Sequence, residues 1–303
     1  MIIQFDGVNW NSSSGPNSFA NRLARALFER GHEISLDALN ADVSLVFIER
    51  TGVPLANRIV QRLDGIWFSP DEFLTKNVGI KSLYEKADAI IWQSEFDKTM
   101  TTKWWGDRNG SVIHNGIKKS PITSFTFPAL EQIRSKYDKV FVSSAFWHPQ
   151  KRLKTNTELF LKLRKFYPNS CYIVMGSQPD YVIADPHIFY TGVVPSDVYM
   201  QIYSMADWMI HLAYCDHCPN VVIESLSQET PVICSSAGGT KEIVGKFGLI
   251  VNESYDYDLT HYDSPPDIDL SEFTALPEKS ALEKNFDVSI DRCVDEYLKV
   301  LAA

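Results

Sequence analysis

The chain has little cysteine: five residues in 303, an odd number thinly spread, which excludes a disulfide scaffold and points to a reducing, cytosolic compartment. It has no apolar run approaching the roughly 18–20 residues of a membrane span. The opening Met-Ile-Ile-Gln-Phe-Asp offers neither a basic region nor an apolar stretch of the kind that directs secretion. It also lacks a basic excess. Residues 1–120 carry 14 Lys/Arg and 14 Asp/Glu, and residues 121–250 carry 11 of each. The net charge of −9 comes wholly from residues 251–303, with 4 basic and 13 acidic residues. No basic face tracks phosphates, so nucleic acid is not an expected partner, and the acidic tail reads as a solvated surface. Membrane contact is not expected either.

What is present is alternation. Short apolar runs at Ile2–Phe5, Glu33–Leu36, Ser44–Ile48, Gly65–Phe68 and Ala89–Trp92 read as strands. Phe19, Leu23, Ala26 and Leu27 recur at helical spacing before Gly31-His32, and a further helix is predicted around Lys81–Lys86. The pattern pauses at Val112–Gly116, and the stretch to Pro128, with Pro121, reads as a linker. A second series follows. Its strands are predicted at Val140–Ser143, Tyr172–Met175, Ile188–Tyr190, Trp208–Leu212, Val232–Cys234 and Leu249–Val251. Its helices are predicted from Arg152 to about Tyr167, near Ser196–Met205 and near Asn220–Gln228. Ile290, Val294, Tyr297, Leu298 and Leu301 complete the chain as an amphipathic helix. This pattern predicts an α/β protein of two doubly wound, Rossmann-like domains facing each other across a cleft. The expected divisions are 1–120, 121–285, and a helix in 286–303 that packs back on the first domain.

The most informative segment is Asp216–Glu242, DHCPNVVIESLSQETPVICSSAGGTKE. Pro219 suits the start of a helix, where a missing N–H costs nothing. The amides of Asn220 and Val221 then point at any anion placed at that terminus. Asn220, Glu224 and Ser227 share one side of the helix, opposite Val222 and Leu226. A carboxylate one turn into such a helix can accept two hydrogen bonds from a ribose diol; alternatively, Glu224 belongs to a solvated face.

The segment resembles the signature of retaining glycosyltransferase family 4: an acid, seven residues, a Glu, a Pro-Val strand, a glycine pair and a further Glu. Asp216, Glu224, Pro231-Val232, Gly238-Gly239 and Glu242 fall in that order. Gly15 before the first helix, Val112–Gly116, Lys151, Gly192 and Tyr203–Asp207 follow the same family order. The resemblance implies the B-type glycosyltransferase (GT-B) fold, with acceptor on the first domain and nucleotide-sugar donor on the second. It implies that Glu224 binds the ribose, that Asn220 and Val221 behind Pro219 meet the pyrophosphate or sugar, and that Asp216 approaches the sugar hydroxyls. Lys151, seconded by Arg152, would neutralise the leaving diphosphate. Gly15 would allow close approach of the first-domain backbone. Arg62, Asp64 and Asn17 are acceptor-side candidates. Where relatives carry an arginine five or six residues before the lysine, this chain has Phe146 and Ala145. The implied reaction is retaining transfer of a hexose, mannose from GDP-mannose ahead of glucose from UDP-glucose, to a glycan or other hydroxyl acceptor. The alternatives are a nucleotide-sugar epimerase and a non-catalytic nucleotide-sugar-binding protein.

Four further features are set aside. Cys215-Asp-His-Cys218 has zinc-like spacing but no second ligand pair. Asp256-Tyr-Asp258 and Asp267-Ile-Asp269 spell a metal-binding triplet, yet 22 Asp in the chain produce one or two such triplets by chance. No metal or other cofactor is therefore expected. Trp104-Trp105 reads as helix packing, and Lys154, Lys162, Arg164 and Lys165 as a solvated basic face.

Overall fold

The computed structural model describes residues 1–12, 14–119, 122, 126–271 and 273–303. The first half runs β1 (Ile2–Asp6), α1 (Gly15–Glu29), β2 (Glu33–Ser35), β3 (Val43–Phe47), β4 (Ile59–Leu63), α2 (Pro70–Lys76), α3 (Val78–Tyr84), β5 (Ala89–Trp92), α4 (Glu95–Trp105) and β6 (Gly110–Val112). Its six strands are parallel in the order β2-β1-β3-β4-β5-β6. The second half runs α5 (Pro128–Lys136), β7 (Lys139–Ser144), α6 (Leu153–Leu163), β8 (Ser170–Met175), β9 (Ile188–Gly192), α7 (Ser196–Met205), β10 (Trp208–His211), α8 (Asn220–Ser227), β11 (Val232–Ser235), α9 (Thr240–Val244) and β12 (Gly248–Val251). Its strands are also all parallel, in the order β12-β11-β10-β7-β8-β9. The chain closes with α10 (Ile290–Ala302).

Both sheets are buried on both faces, which is why their central strands read as unbroken apolar runs. In the first, Phe19, Leu23 and Leu27 of α1 and Val294, Tyr297 and Leu301 of α10 cover one face. Each such fully buried side chain contributes about 1.5–3 kcal/mol. Helix α10 thus belongs to the first domain's core although it follows the second in sequence. Ser289 caps it by accepting from the Arg292 amide at 3.2 Å. The other face is covered by Ile80, Tyr84, Phe96 and Met100, together with Tyr255, Tyr257, Leu259 and Tyr262 reaching over from the second half. Trp105 and Trp104 pack as expected, against Tyr84 (5.4 Å between centroids) and Phe73 (5.1 Å).

Three local readings are corrected. The predicted strand 65–68 is a loop, and the strand lies earlier, at Ile59–Leu63. Gln61 and Arg62 disguise it: both are fully buried, and Gln61 Nε2 satisfies itself on the carbonyls of Ile48 and Ile80. A helix missing from the prediction, α5, begins at Pro128, where the predicted linker ends; Pro121 lies outside the described residues. The acidic tail is not wholly solvated. Glu253 is held in the interior by Arg152, its side chain 7 % exposed.

In a doubly wound sheet ligands collect where strand order reverses. The second sheet reverses between β7 and β10, the first between β1 and β3. The loop from β1 to α1 therefore meets the loops after β7 and β10 across one cleft.

Candidate functional site

The cleft has two connected chambers sharing Gly15, Ala145, Phe146, Asn220 and Val221. The larger, about 780 Å³, is walled by Ser14, Ser18 and Arg22 of the first domain and by Tyr199, Val221 and Glu224 of the second. The smaller, about 320 Å³, contains Asp64, Gln93 and Asn115 on one side and Lys151, His211, Asp216 and His217 on the other. Helix α8 runs between them, and its first amides, at Asn220 and Val221, have no partner one turn earlier in the helix.

Asp216 is positioned by the loop that faces it. The Gly239 amide donates to the Asp216 carbonyl (2.8 Å), and Cys215 N–H donates to Ala237 (2.8 Å). A side chain on Gly238 would collide with the Asp216 backbone, and one on Gly239 with the His217 carbonyl. The glycine pair thus permits this packing. One Asp216 oxygen accepts from Lys151 Nζ at 2.5 Å and lies 3.3 Å from His211 Nε2. Burial alone would push this carboxyl up, but the Lys151 charge and the His211 contact prevail and hold it well below the usual carboxylate range. His211 itself is driven towards its neutral form by burial, with Asp216 opposing.

Glu224 is buried, 5 % exposed, so the solvated-face alternative does not hold. Burial raises its carboxyl pKa above the ordinary value, and Arg22 of α1, hydrogen-bonded and ion-paired to it across the cleft, offsets only part of that rise. Asn220 bridges the lobes as well: its Nδ2 donates to the Gly15 carbonyl (2.8 Å), and its Oδ1 accepts from Asn115 (3.1 Å). Glu242 joins the domains by accepting the Glu95 and Phe96 amides at the start of α4, at 2.7 and 2.8 Å.

The cleft therefore gathers Gly15, Asp64, Lys151, Asp216, Pro219, Asn220, Val221 and Glu224. Three other expected site residues lie elsewhere or face away. Arg152 is spent on Glu253, with Nη1···Oε2 at 2.8 Å and Nη2···Oε1 at 2.5 Å, and on the Leu212 and Pro266 carbonyls. Arg62 is fully buried between the Phe19 and Phe47 rings, bonded to Tyr297 and Asn115 and paired with Asp64. Asn17 closes the loop ahead of α1, accepting from Asn9 N–H (2.8 Å) and donating to Ser14 (2.7 Å). Phe146 is 63 % exposed in the cleft wall.

Sequence reasoning missed Arg22, His211 and Tyr199. Arg22 had a signal, since it follows Ser14 and Ser18 at intervals of four on one face of α1. Among the described residues no three His, Cys, Asp or Glu side chains are grouped so as to hold a metal ion. No described helix is long and apolar enough to cross a membrane.

Residues 137–260 match the family model described as "Glycosyl transferases group 1". No curated protein matches the chain by sequence. Among solved structures, Alr3699/HepE of Anabaena, in complex with UDP and glucose, superposes with a TM-score of 0.68 and 15% identity, over 100% of this chain and 99% of that one. A glycosyltransferase from Rickettsia africae ESF-5 gives 0.68 and 14%, over 99% and 97%. Sucrose-phosphate synthase of Thermosynechococcus elongatus gives 0.61 and 14%, over 87% of each. The chain accordingly has the GT-B glycosyltransferase fold, with a group 1 glycosyl transferase match across most of its second domain.

Proposed function

We propose that the chain is a retaining, metal-independent glycosyltransferase that moves a hexose from a nucleoside diphosphate donor to a hydroxyl acceptor. The observation that carries the reading is the arrangement along α8. A buried carboxylate, Glu224, sits one turn inside the helix, with unspent amides at its tip and the Lys151–Asp216 pair beyond. This is a polarity gradient suited to ribose, then diphosphate, then sugar. In this reading Glu224 accepts the ribose hydroxyls, the Asn220 and Val221 amides meet diphosphate oxygens, and Lys151 stabilises the charge that builds as the diphosphate departs. Asp216, held ionised, orients the sugar hydroxyls. Asp64 faces them from the first domain, on the acceptor side. Catalysis is positional and electrostatic, and the departing phosphate oxygen takes the acceptor proton.

UDP-glucose is the first donor to try, because the Alr3699/HepE structure was solved with that compound as well as with its parts. GDP-mannose, which the family resemblance favours, is the second. Calorimetric titration of both, with and without EDTA, on the wild type and Glu224→Ala tests the assignment. Heat with one donor, unaffected by EDTA and abolished in the variant, is the expected result. Silence with both donors overturns the nucleotide-sugar reading. Donor turnover to an isomer without acceptor would instead establish an epimerase, and an inverted anomeric product would overturn retention.

A further inference from the structure

Arg22 has no task in the reaction just described, yet it lines the larger chamber. It lies two turns into α1, on the face carrying Ser14 and Ser18. Its Nη2 reaches across the interlobe gap to Oε1 of Glu224. The Glu224 side chain is 7 % exposed and that of Arg22 22 %, so the pair is largely withdrawn from water. Nη1 is buried and has no hydrogen-bond partner among the described residues. The other titratable groups facing Glu224 are the phenols of Tyr199 and Tyr203 on α7, both neutral, so Arg22 supplies the positive charge.

A carboxylate this deep does not keep its charge unaided, since the interior favours the protonated form. A ribose diol needs an ionised acceptor: protonation converts one of the two oxygens into a donor and removes half of the recognition. We propose that Arg22 is a positioning residue for nucleotide recognition, fixing Oε1 of Glu224 from the opposite lobe so that Oε2 is left to accept the ribose hydroxyls. The proposal rests on the ribose assignment of Glu224 made above. It has a consequence of its own: the ribose is read by a carboxylate whose oxygen is fixed, and whose charge is favoured, from the opposite lobe, so nucleotide affinity reports on contact between the lobes.

The test uses the full chain, the variants Arg22→Met and Arg22→Lys, and two probes, UDP-glucose and its 2′-deoxyribose analogue, titrated at pH 6 and pH 8. The wild type should bind UDP-glucose equally at both values and discriminate against the deoxy analogue by about tenfold, the worth of one charge-assisted hydrogen bond. Arg22→Met should lose about tenfold at pH 6 together with the discrimination, and recover part of both at pH 8 as Glu224 ionises. Arg22→Lys should stay close to the wild type. In parallel, the side-chain carboxyl resonance of Glu224, identified by its loss in Glu224→Gln, should titrate at higher pH in Arg22→Met than in the wild type. Wild-type affinity and discrimination in Arg22→Met at both pH values would overturn the proposal, as would tighter binding, which would make Arg22 a mere competitor of the ribose. If the wild type binds neither probe, the donor assignment fails, and the carboxyl titration alone decides: an unshifted Glu224 overturns the role given to Arg22.

Discussion

Lys151 and Arg152 are neighbours in sequence, each is paired with an acid, and the two pairs stand on opposite sides of a boundary. Lys151 meets Asp216 at the cleft wall, with side chains 20 % and 13 % exposed. Arg152 meets Glu253 behind that wall, at 2 % and 7 %. Arg152 has a left-handed backbone (φ 52°) between the short 3₁₀ turn Pro149–Lys151 and α6, and this reversal sends the two cations apart. The guanidinium is saturated by two carboxylate oxygens, two carbonyls and the Tyr214 ring, 4.9 Å away. The ammonium has one carboxylate and an open chamber. Identical charge thus serves structure in one place and, in the proposed reaction, chemistry in the other, and the partners decide which.

The largest effect should come from breaking the closed pair. Glu253→Ala leaves a buried guanidinium without its anion and removes the acceptor that Ser235 also uses at 2.5 Å. A loss of about 3–5 kcal/mol in folding stability is expected, read from denaturant unfolding. A loss below 1 kcal/mol would mean that water reaches Arg152 and that the two pairs do not differ in kind.

Breaking the open pair should act on rate instead. Lys151→Ala is expected to lower kcat about 10²–10³-fold, the worth of one charge donor at a developing anion, while costing less stability than Glu253→Ala. Its pH dependence should also change sign. In the wild type Asp216 is held below the ordinary carboxylate range, so its contribution is full above about pH 4 and fades only in stronger acid. Without Lys151, burial dominates, the carboxyl rises, and the variant should lose stability as pH climbs past about 4. Unfolding midpoints between pH 4 and 8 check this; parallel wild-type and variant profiles would refute it.

Gly65→Ala reaches the open pair only through its neighbour. Gly65 has φ 103°, and a side chain there would meet the His217 ring at 2.3 Å. His217 belongs to the second domain but inserts into the first, against Phe68 and Phe96, and burial holds its imidazole neutral, down to about 4. About 1–3 kcal/mol of strain is expected, with nucleotide affinity falling as the lobes separate. Unchanged affinity would show that the seam and the cleft are independent.

These contrasts explain how far the sequence could be read. Parallel strands buried on both faces are continuous apolar runs, and those were legible wherever the runs were pure. Strand β4 was hidden because Gln61 and Arg62 look exposed on paper, and most of the groups that meet them come from elsewhere in the chain. In the cleft, Asp216, Asn220, Val221 and Glu224 were legible as neighbours because one helix and the loop before it carry them all. Arg22 and Tyr199 were not, since their relation to Glu224 is made by packing α1 and α7 against α8 rather than by spacing along the chain. Arg152 illustrates the converse: adjacency to Lys151 suggested a shared role, and the backbone reversal assigns it another.

The smallest effect should come from a carboxyl that has no cation in contact. Asp97 in α4 is fully buried, accepts from the Gln93 amide (3.2 Å) and Thr101 (3.3 Å), and lies 3.7 Å from His217 Nδ1. Burial pushes its pKa up to about 8, because these hydrogen bonds and the distant Arg62 charge do not offset the lost hydration. At pH 7 it is therefore largely neutral, and Asp97→Asn exchanges one neutral polar group for another of the same shape, at a cost within about 1 kcal/mol. A group whose pKa is raised by folding loses its contribution as pH climbs from the ordinary carboxylate value to the folded one, so the wild type should weaken between about pH 4 and 8 while the variant does not. A crossover in unfolding midpoint over that interval is the expected result. A large loss in Asp97→Asn already at pH 7 would show that Asp97 is ionised and paired with a protonated His217, placing it with Asp216 among the carboxylates that a cation keeps charged.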